Sequence, residues 1–291
     1  MNALIGYTGF VGSNIANQKK FDFYYNSKNI EEIKGKSFDL LVCAGARSIK
    51  WKANKFPKQD YQEIQKLIFH LDSCYFKKIV LISTIAVYDN PADNTYGQNR
   101  LYLETYIKNK FSNVTIIRLP ALFGKGLKKN AIYDMINNKY DYLPNLKSKF
   151  QYYYLNNLWK DIEIALKNKL SVLNISPEPV LFSKIFNLFK IKNLDLTEAP
   201  VVNENMKTKY AYLWNKDGDY IYTSDQAIQD LKNFLKEQNK LREVGYKAIT
   251  GQIELDKKRL SILKDNLAVA RQLAVATRAR ITTEKEFLAE R

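Results

Sequence analysis

The sequence contains very little histidine and cysteine. Of its 291 residues, one is a histidine, His70, and two are cysteines, Cys43 and Cys74. A zinc site or a histidine-based catalytic triad is therefore not expected, and we predict no metal site. Both cysteines lie among apolar residues, which favours buried, reduced thiols over a disulfide and is typical of a reducing cytoplasm.

The sequence also lacks a long apolar run. No segment approaches the roughly 18 apolar residues that are needed to cross a bilayer. The N-terminus begins directly with the strand-like segment MNALIGY, without the basic and apolar regions of a secretion signal. These absences predict a cytoplasmic protein without a membrane span.

Acidic residues are in the minority, with 30 Asp and Glu against 46 Lys and Arg, so the formal net charge is +16. An excess of basic residues can indicate binding to nucleic acid, to an anionic membrane surface or to an anionic small substrate. Here the lysines are dispersed among Asn, Tyr and Ile, and neither a concentrated basic stripe nor a base-stacking motif is visible. The pattern indicates a compositional bias, and binding to nucleic acid is not expected.

The first 125 residues alternate short apolar or β-branched runs with amphipathic stretches. This alternation predicts repeated strand–helix units and a parallel sheet with helices on both faces. The expected strands are Ala3–Ile5, Phe21–Tyr25, Leu40–Cys43, Ile79–Ile82 and Val114–Arg118. The expected helices are Val11–Gln18, a longer one around Tyr61–Tyr75, and Tyr96–Lys110.

The regularity weakens over residues 126–236. Aromatic clusters such as Gln151–Tyr154 and Tyr210–Trp214 occur there beside short helical patterns such as Leu158–Lys167. We interpret residues 1–125 as the core of a doubly wound sheet, and residues 126–236 as its late elements together with a small substrate subdomain.

Residues 237–291 differ in kind from the rest. They contain no proline, lose the Asn and Tyr bias, and place apolar residues at a spacing of three and four. The residues of this seam are Leu260, Leu263, Leu267, Ala270, Ala274 and Ile281. One long helix is predicted, or two that are separated near Gly245 or Gly251. A narrow apolar seam on an appended segment favours self-association or docking on another chain, with packing onto its own domain as the alternative.

The segment ALIGYTGFVGSNIA passes from an apolar strand through three glycines into a helix. Gly6 is expected to make the tight turn, Gly9 to let the backbone approach a pyrophosphate, and Gly12 to let helix and strand pack closely. The helix N-terminus offers N–H groups and the positive end of its dipole to phosphates. The position of the turn predicts a dinucleotide site. Further cofactor contacts are expected from Thr8, Phe10 and Val11.

The Gly-x-x-Gly-x-x-Gly spacing resembles that of the short-chain dehydrogenase/reductase superfamily, particularly its extended branch of sugar-nucleotide epimerases, dehydratases and reductases. The other segments that carry the resemblance are Ala44-Gly45-Ala46, Trp51–Asp60, LISTIAVY at 81–88, Tyr96-Gly-Gln-Asn-Arg100 in the place of the family's Tyr-x-x-x-Lys, and RLPALFG at 118–124. The resemblance covers residues 1 to about 236. It implies a Rossmann-type α/β fold and a bound NAD(P).

The resemblance also implies roles for individual residues. Tyr96 is the acid/base, and Arg100 is the cation that favours its phenolate, one helical turn further on. Thr84 hydrogen-bonds the reacting oxygen, with Ser83 as the alternative. Position 100 carries arginine where the family has lysine. Arginine keeps its charge and can fork onto ribose hydroxyls, but it relays a proton less readily than lysine. The implied cofactor contacts are Tyr96, Arg100, Ala44, Gly45, Ala46 and Pro120.

The choice between NAD and NADP is weakly marked. Where an acidic residue would hold the adenosine ribose of NAD, the sequence has Asn26, Ser27 and Lys28. Both Asn26 and Ser27 are expected to contact the cofactor. Lys28, together with Arg47, is a candidate partner of a 2′-phosphate, so NADP is slightly favoured.

Three lysines, Lys125, Lys128 and Lys129, are placed to meet the phosphates of a nucleotide sugar, with a solvated lysine cluster as the alternative. The function that the resemblance implies is an NAD(P)-dependent oxidoreductase or epimerase that acts on a nucleotide-linked or related sugar. The alternative is a non-catalytic dinucleotide-binding module whose helical tail mediates assembly. The arginine at position 100 and the short loop between Thr84 and Tyr96 favour this alternative.

Overall fold

In a computed structural model of the chain, residues 1–90, 92, 94–189, 191, 196 and 198–289 are described. The chain divides into two compact units, Met1–Lys232 and Asn233–Arg291. The expected regions 1–125 and 126–236 thus lie together in the first unit as far as Lys232. No helix among the described residues has both the length and the apolar composition that crossing a membrane requires.

The first unit is built around a parallel six-stranded sheet. Its strands and the shorter ones beside them are β1 Asn2–Ile5, β2 Phe23–Tyr25, β3 Ser37–Phe38, β4 Leu40–Cys43, β5 Tyr75–Phe76, β6 Ile79–Thr84, β7 Val114–Leu119, β8 Ala121–Phe123, β9 Lys149–Phe150, β10 Tyr152–Tyr154, β11 Val172–Asn174 and β12 Val180–Leu181. The six strands have the order β11-β7-β6-β4-β1-β2, and the short strands pair as β10-β8, β12-β9 and β3-β5.

The strand order reverses beside β1. The chain passes from β1 outward to β2 and then crosses to the other side of β1, where β4 pairs with it in parallel. In doubly wound sheets this reversal opens a crevice at the carboxyl ends of the strands, and ligands bind there. The fold therefore directs the search for a site to the residues that follow β1, β4 and β6.

Helices cover both faces of the sheet. The helices of the described residues are α1 Phe10–Gln18, α2 Lys50–Lys55, α3 Pro57–Asp72, α4 Thr95–Lys110, α5 Ala131–Ile136, α6 Leu158–Lys167, α7 Phe182–Phe186 and α8 Ser224–Ala289, with one-turn 3-10 helices at Ile30–Ile33, Ile85–Tyr88, Leu155–Asn157, Asn187–Phe189 and Ala211–Trp214. Those on the two faces include α1 and α6 on one side and α3 and α4 on the other. Successive strand residues point to opposite faces. Leu4 accordingly packs with Ile15 of α1 and Ile162 of α6. Its neighbour Ile5 packs in the other core, with Ile64 of α3.

The expected Rossmann-type fold class is confirmed, with differences at some element boundaries. β2 begins at Phe23 instead of Phe21, because the Phe21 N–H donates to the Tyr24 hydroxyl. α3 begins at Pro57, a residue well suited to the first helical turn, and ends at Asp72. Tyr75, expected at the end of that helix, instead pairs in a short strand.

Both cysteines are free and buried, as expected. The predicted tail helix is present as part of α8, which runs from Ser224 to Ala289 without a break at Gly245 or Gly251. An interior glycine costs a helix about 1 kcal/mol relative to alanine, which the long flanking helical segments offset.

Candidate active site

The three glycines of the first turn differ in what the fold requires of them. Gly6 has a φ of +84°, and a Cβ there would overlap the Ala44 carbonyl. A Cβ at Gly12 would overlap the Gly6 carbonyl. At Gly9, which is exposed, a Cβ would meet only the Gly6 carbonyl oxygen at 3.2 Å. Gly6 and Gly12 are thus needed for packing, whereas Gly9 leaves an open backbone surface.

The N-terminus of α1 lies directly behind this surface. Gly9 is its N-cap residue, and no side chain caps the helix. The Gly9 N–H donates to the Gly6 carbonyl over 2.9 Å, which closes the turn. The N–H groups of the first helical turn, from Phe10 onward, have no acceptor within the helix. Such a group of amides suits the oxygens of a pyrophosphate.

The ends of the two strands that pair with β1 lie next to the turn. After β4, the Ala44 N–H donates to the Ile5 carbonyl over 2.9 Å. After β2, Asn26 is held in a side-chain turn, since its Oδ1 accepts from the Lys28 N–H over 2.8 Å. The predicted cofactor residues at these strand ends are therefore brought to the same edge as the glycines.

The start of α4 is fixed against the turn that follows β6. Asn94 caps the helix by accepting from the Gly97 N–H over 3.2 Å, and its amide donates to the Ala86 carbonyl over 2.7 Å. A Cβ at Gly97 would overlap this carbonyl, so only glycine allows the close approach. The Tyr96 N–H donates to Asn54 Oδ1 of α2 over 2.8 Å. These contacts place Tyr96 beside Thr84.

Tyr96 is 8% exposed and packs against Ala53 and Ala86. Burial raises its pKa, although Arg100 and a hydrogen bond with the Thr84 side chain both oppose that rise. The Arg100 guanidinium lies 4.2 Å from the centroid of the Tyr96 ring. The expected cation is thus in place, but burial outweighs its effect on the phenol.

Arg100 is 3% exposed and is held by protein groups. Its Nη1 donates to the Asp60 carboxylate of α3, and its Nη2 donates to the Arg47 carbonyl. The two terminal nitrogens that were expected to donate to ribose hydroxyls therefore already donate to protein groups. Arg100 Nε is buried and has no partner among the described residues.

Ser83 and Thr84 also differ from one another. Thr84 Oγ1 accepts from the Ala86 N–H over 3.1 Å and contacts Tyr96. Ser83 Oγ is buried, and in the described part of the chain it has no partner. Thr84 is therefore the one that is coupled to the tyrosine, and Ser83 offers an unused hydroxyl.

A polar network that sequence reasoning did not find lies at the same sheet edge. Arg118 Nε of β7 donates to Glu104 Oε1 of α4 over 3.0 Å, and Arg118 Nη1 donates to the Tyr88 hydroxyl. Asn174 of β11 donates to the same hydroxyl over 3.2 Å. Tyr88 is 53% exposed, so the network ends at an accessible phenol. The one sequence signal was Glu104, four residues after Arg100 and thus on the same helix face.

The three predicted substrate lysines follow β8 at the same edge. The Lys125 carbonyl accepts from Asn14 Nδ2 of α1 over 2.9 Å, which fixes the loop beside the glycine turn. Lys125, Lys128 and Lys129 are all exposed. Lys129 also donates to the Ser48 carbonyl, and partial burial lowers its pKa. Lys129 thus joins two loops, whereas Lys125 and Lys128 extend from one.

Solved structures with the same fold include several that act on nucleotide sugars. The UDP-glucose 4-epimerase of Thermotoga maritima, solved with UDP-glucose, is 14% identical with a TM-score of 0.62, over 83% of this chain and 99% of that one. The UDP-N-acetylglucosamine 4-epimerase of Methanobrevibacter ruminantium M1, in complex with UDP-N-acetylmuramic acid, is 15% identical with a TM-score of 0.60, over 81% and 96%. The dTDP-4-dehydrorhamnose reductase of Bacillus anthracis, in complex with NADP, is 18% identical with a TM-score of 0.62, over 81% and 97%.

At these identities the likeness establishes the fold. Models of protein families give no match to the chain, and a comparison with curated proteins gives none either.

Proposed function

We propose that this chain is an NAD(P)-dependent oxidoreductase or epimerase that acts on a nucleotide-linked or related sugar. The observation that carries the proposal is the placement of an open glycine turn and a threonine–tyrosine pair at the carboxyl edge of one parallel sheet. Gly9 lies after β1, Thr84 is the last residue of β6, and Tyr96 lies in the first turn of α4. The similar epimerases and the reductase, whose structures hold nucleotide sugars or NADP, support it.

The residues present fit a dinucleotide. The surface at Gly9 and the amides of the first α1 turn suit its pyrophosphate. Two buried polar atoms that have no partner in the described part of the chain, Ser83 Oγ and Arg100 Nε, are available to hydroxyl or amide groups of a ligand. When bound, NAD(P) would accept or supply a hydride. The residues after β2, Asn26, Ser27 and Lys28, favour NADP slightly.

The protein's part in the reaction is to hold an oxygen and to move a proton. Thr84 positions the reacting oxygen, and Tyr96 exchanges a proton with it. Because burial raises the pKa of Tyr96, the phenol is protonated at neutral pH. This is the form that donates to a carbonyl oxygen as it is reduced. The exposed Lys125 and Lys128 are positioned to meet the phosphates of the substrate.

The test is a comparison of Tyr96→Phe with a matched change on the same helix. The purified chain is incubated with NADPH or NADH and a panel of 4-keto sugar nucleotides, while the absorbance of the reduced nicotinamide is followed. We expect Tyr96→Phe to lower kcat by about 10²–10⁴-fold. Tyr102→Phe, at a residue that is 39% exposed on α4, should keep the wild-type rate. Turnover that is unaffected by Tyr96→Phe would contradict the assignment.

A second candidate function is a dinucleotide-binding module without catalysis, whose helical tail mediates assembly. It is favoured by the contacts of Arg100, because the terminal guanidinium nitrogens are bound to Asp60 and to the Arg47 carbonyl. Cofactor binding that changes assembly through the tail, with no turnover of any sugar nucleotide, would support this candidate over the first.

We place the protein in the reducing cytoplasm. Cys43 and Cys74 are both buried and unpaired. Burial raises the pKa of the Cys43 thiol to about 11 and that of the Cys74 thiol to about 12. Thiols of this kind stay protonated at neutral pH and persist in a compartment that keeps them reduced.

A further inference from the structure

The second unit carries a row of apolar side chains that the described residues do not cover. Ile253, Leu260 and Leu267 lie seven residues apart on α8 and are 50%, 54% and 53% exposed. Leu263, between two of them, is 63% exposed. Single exposed apolar residues are common, but a continuous row marks an interaction site. We call these four residues the apolar row.

A row of cations flanks the apolar row on one edge. Each of its members lies four residues, or one helical turn, after a member of the apolar row. They are Lys257, Lys264 and Arg271, and all three are exposed. None of them forms an ion pair within the described part of the chain. The residues along the opposite edge are Gln252, Arg259 and Asn266, which supply no carboxylate.

This charge pattern does not suit pairing with a second copy. In a parallel pair of helices, the cationic edge would face Gln252, Arg259 and Asn266 of the other copy; in an antiparallel pair, it would face itself. Neither arrangement gives the cations an acidic partner. In a parallel pair, Asp256, which lies 3.7 Å from Arg259 on its own helix, would also meet Asp256 of the other copy.

A lipid surface also fits poorly. A second set of exposed apolar residues, Leu255, Ile262 and Val269, is offset by two residues and therefore lies about 200° around the helix from the apolar row. A membrane surface covers one face of an amphipathic helix and leaves a polar face in water. The face opposite the apolar row is therefore not a purely polar one. A partner helix, by contrast, contacts a narrow seam such as the apolar row, in which Ile253, Leu260 and Leu267 recur every seven residues.

We propose that the apolar row is the docking site for an amphipathic helix of a partner protein, with acidic residues along the edge that faces Lys257, Lys264 and Arg271. Its apolar residues would cover Ile253, Leu260, Leu263 and Leu267. Pairs of opposite charge beside an apolar seam set partner choice and orientation.

The test uses the full chain and two labelled synthetic helices. Both carry Ile and Leu at the seam positions; one has Glu at the flanking positions, and the other has Lys there. Fluorescence anisotropy should detect binding of the Glu peptide that weakens as salt is raised, with the Lys peptide binding at least about tenfold more weakly. The triple variant Lys257→Glu, Lys264→Glu and Arg271→Glu should reverse this preference. Circular dichroism verifies that the variant keeps its helix.

Other results would overturn the proposal. Equal binding of the two peptides, or binding of neither, would exclude selection by charge. If sedimentation velocity shows dimers of the wild-type chain and Leu263→Asp dissociates them, the occupant of the apolar row is a second copy. If the chain binds phosphatidylserine vesicles but not the Glu peptide, and Leu263→Asp abolishes vesicle binding, the occupant is a lipid surface.

Discussion

At the scale of a single residue, Gly9 differs from Gly6 and Gly12 because its substitution is expected to affect the proposed ligand binding and not folding. Gly6 is fixed by its positive φ and by the Ala44 carbonyl, and Gly12 by the Gly6 carbonyl. A Cβ at Gly9, which is exposed, would meet a single backbone oxygen at 3.2 Å. Substitutions along one turn can therefore report on two different properties.

We expect Gly9→Val to weaken NADP(H) or NAD(H) binding by tenfold or more, equivalent to about 1.4 kcal/mol, because its side chain occupies the pyrophosphate position. Its melting temperature should stay close to that of the wild type. Gly12→Ala should instead lower the melting temperature, because its Cβ overlaps the Gly6 carbonyl. Calorimetric titration and thermal denaturation give the two quantities. If Gly9→Val leaves the dinucleotide affinity unchanged, the assignment of the glycine turn as the pyrophosphate site is wrong.

Arg100 demonstrates that a residue's type and its availability are separate properties. The sequence places a cation one turn after Tyr96, and the structure keeps it there, 4.2 Å from the ring centroid. Its terminal nitrogens hold α4 to Asp60 of α3 and to the loop after β4. Arg100 therefore connects α4 to two other segments of the protein, in addition to the cofactor contact that we propose for it.

At the scale of elements, a buried aspartate ties together the late part of the first unit. Asp161 of α6 is fully buried and accepts from the Tyr153 hydroxyl over 2.6 Å, from Trp214 Nε1 over 2.8 Å and from the Tyr222 hydroxyl over 2.9 Å. These residues belong to β10, to a 3-10 turn and to the segment before α8. Burial raises the pKa of Asp161, although its hydrogen bonds oppose that effect.

This cluster predicts a particular dependence of stability on pH. Because the pKa of Asp161 is raised in the folded state, its contribution to stability is fully present below the pKa of the unfolded chain and is lost as pH rises through the folded pKa. The unfolding free energy that Asp161→Asn loses relative to the wild type should thus be largest at about pH 4 and smaller at about pH 7. Urea denaturation of both proteins across this range measures it. A difference that does not vary with pH would contradict the prediction.

At the scale of the whole molecule, the residues that we assign to the cofactor all lie in the first unit, Met1–Lys232. We expect a chain that ends at residue 236 to bind NADP(H) or NAD(H) with the affinity of the full chain, since no assigned contact is removed. Calorimetric titration of both chains tests this. A large loss of affinity on truncation would assign part of the cofactor site to the tail.

Much of the architecture could be predicted from the sequence, because it depends on local patterns. Alternation of apolar residues determines strands that pack on both faces, and glycines at positions 6, 9 and 12 determine the turn after the first strand. The spacing of four residues places Tyr96 and Arg100 on one face of α4. The uninterrupted apolar periodicity of the tail likewise predicts its helix.

The tertiary structure alone decided which distant groups meet. Asp60 is 40 residues from Arg100, and Tyr88 is 86 residues from Asn174. Tyr153, Trp214 and Tyr222 converge on Asp161 from three separate segments. Periodicity specifies which face of an element is buried, but such contacts depend on how whole elements pack. Burial on packing also outweighs the expected lowering of the Tyr96 pKa by Arg100, because desolvation of a phenol depends on every neighbour that excludes water.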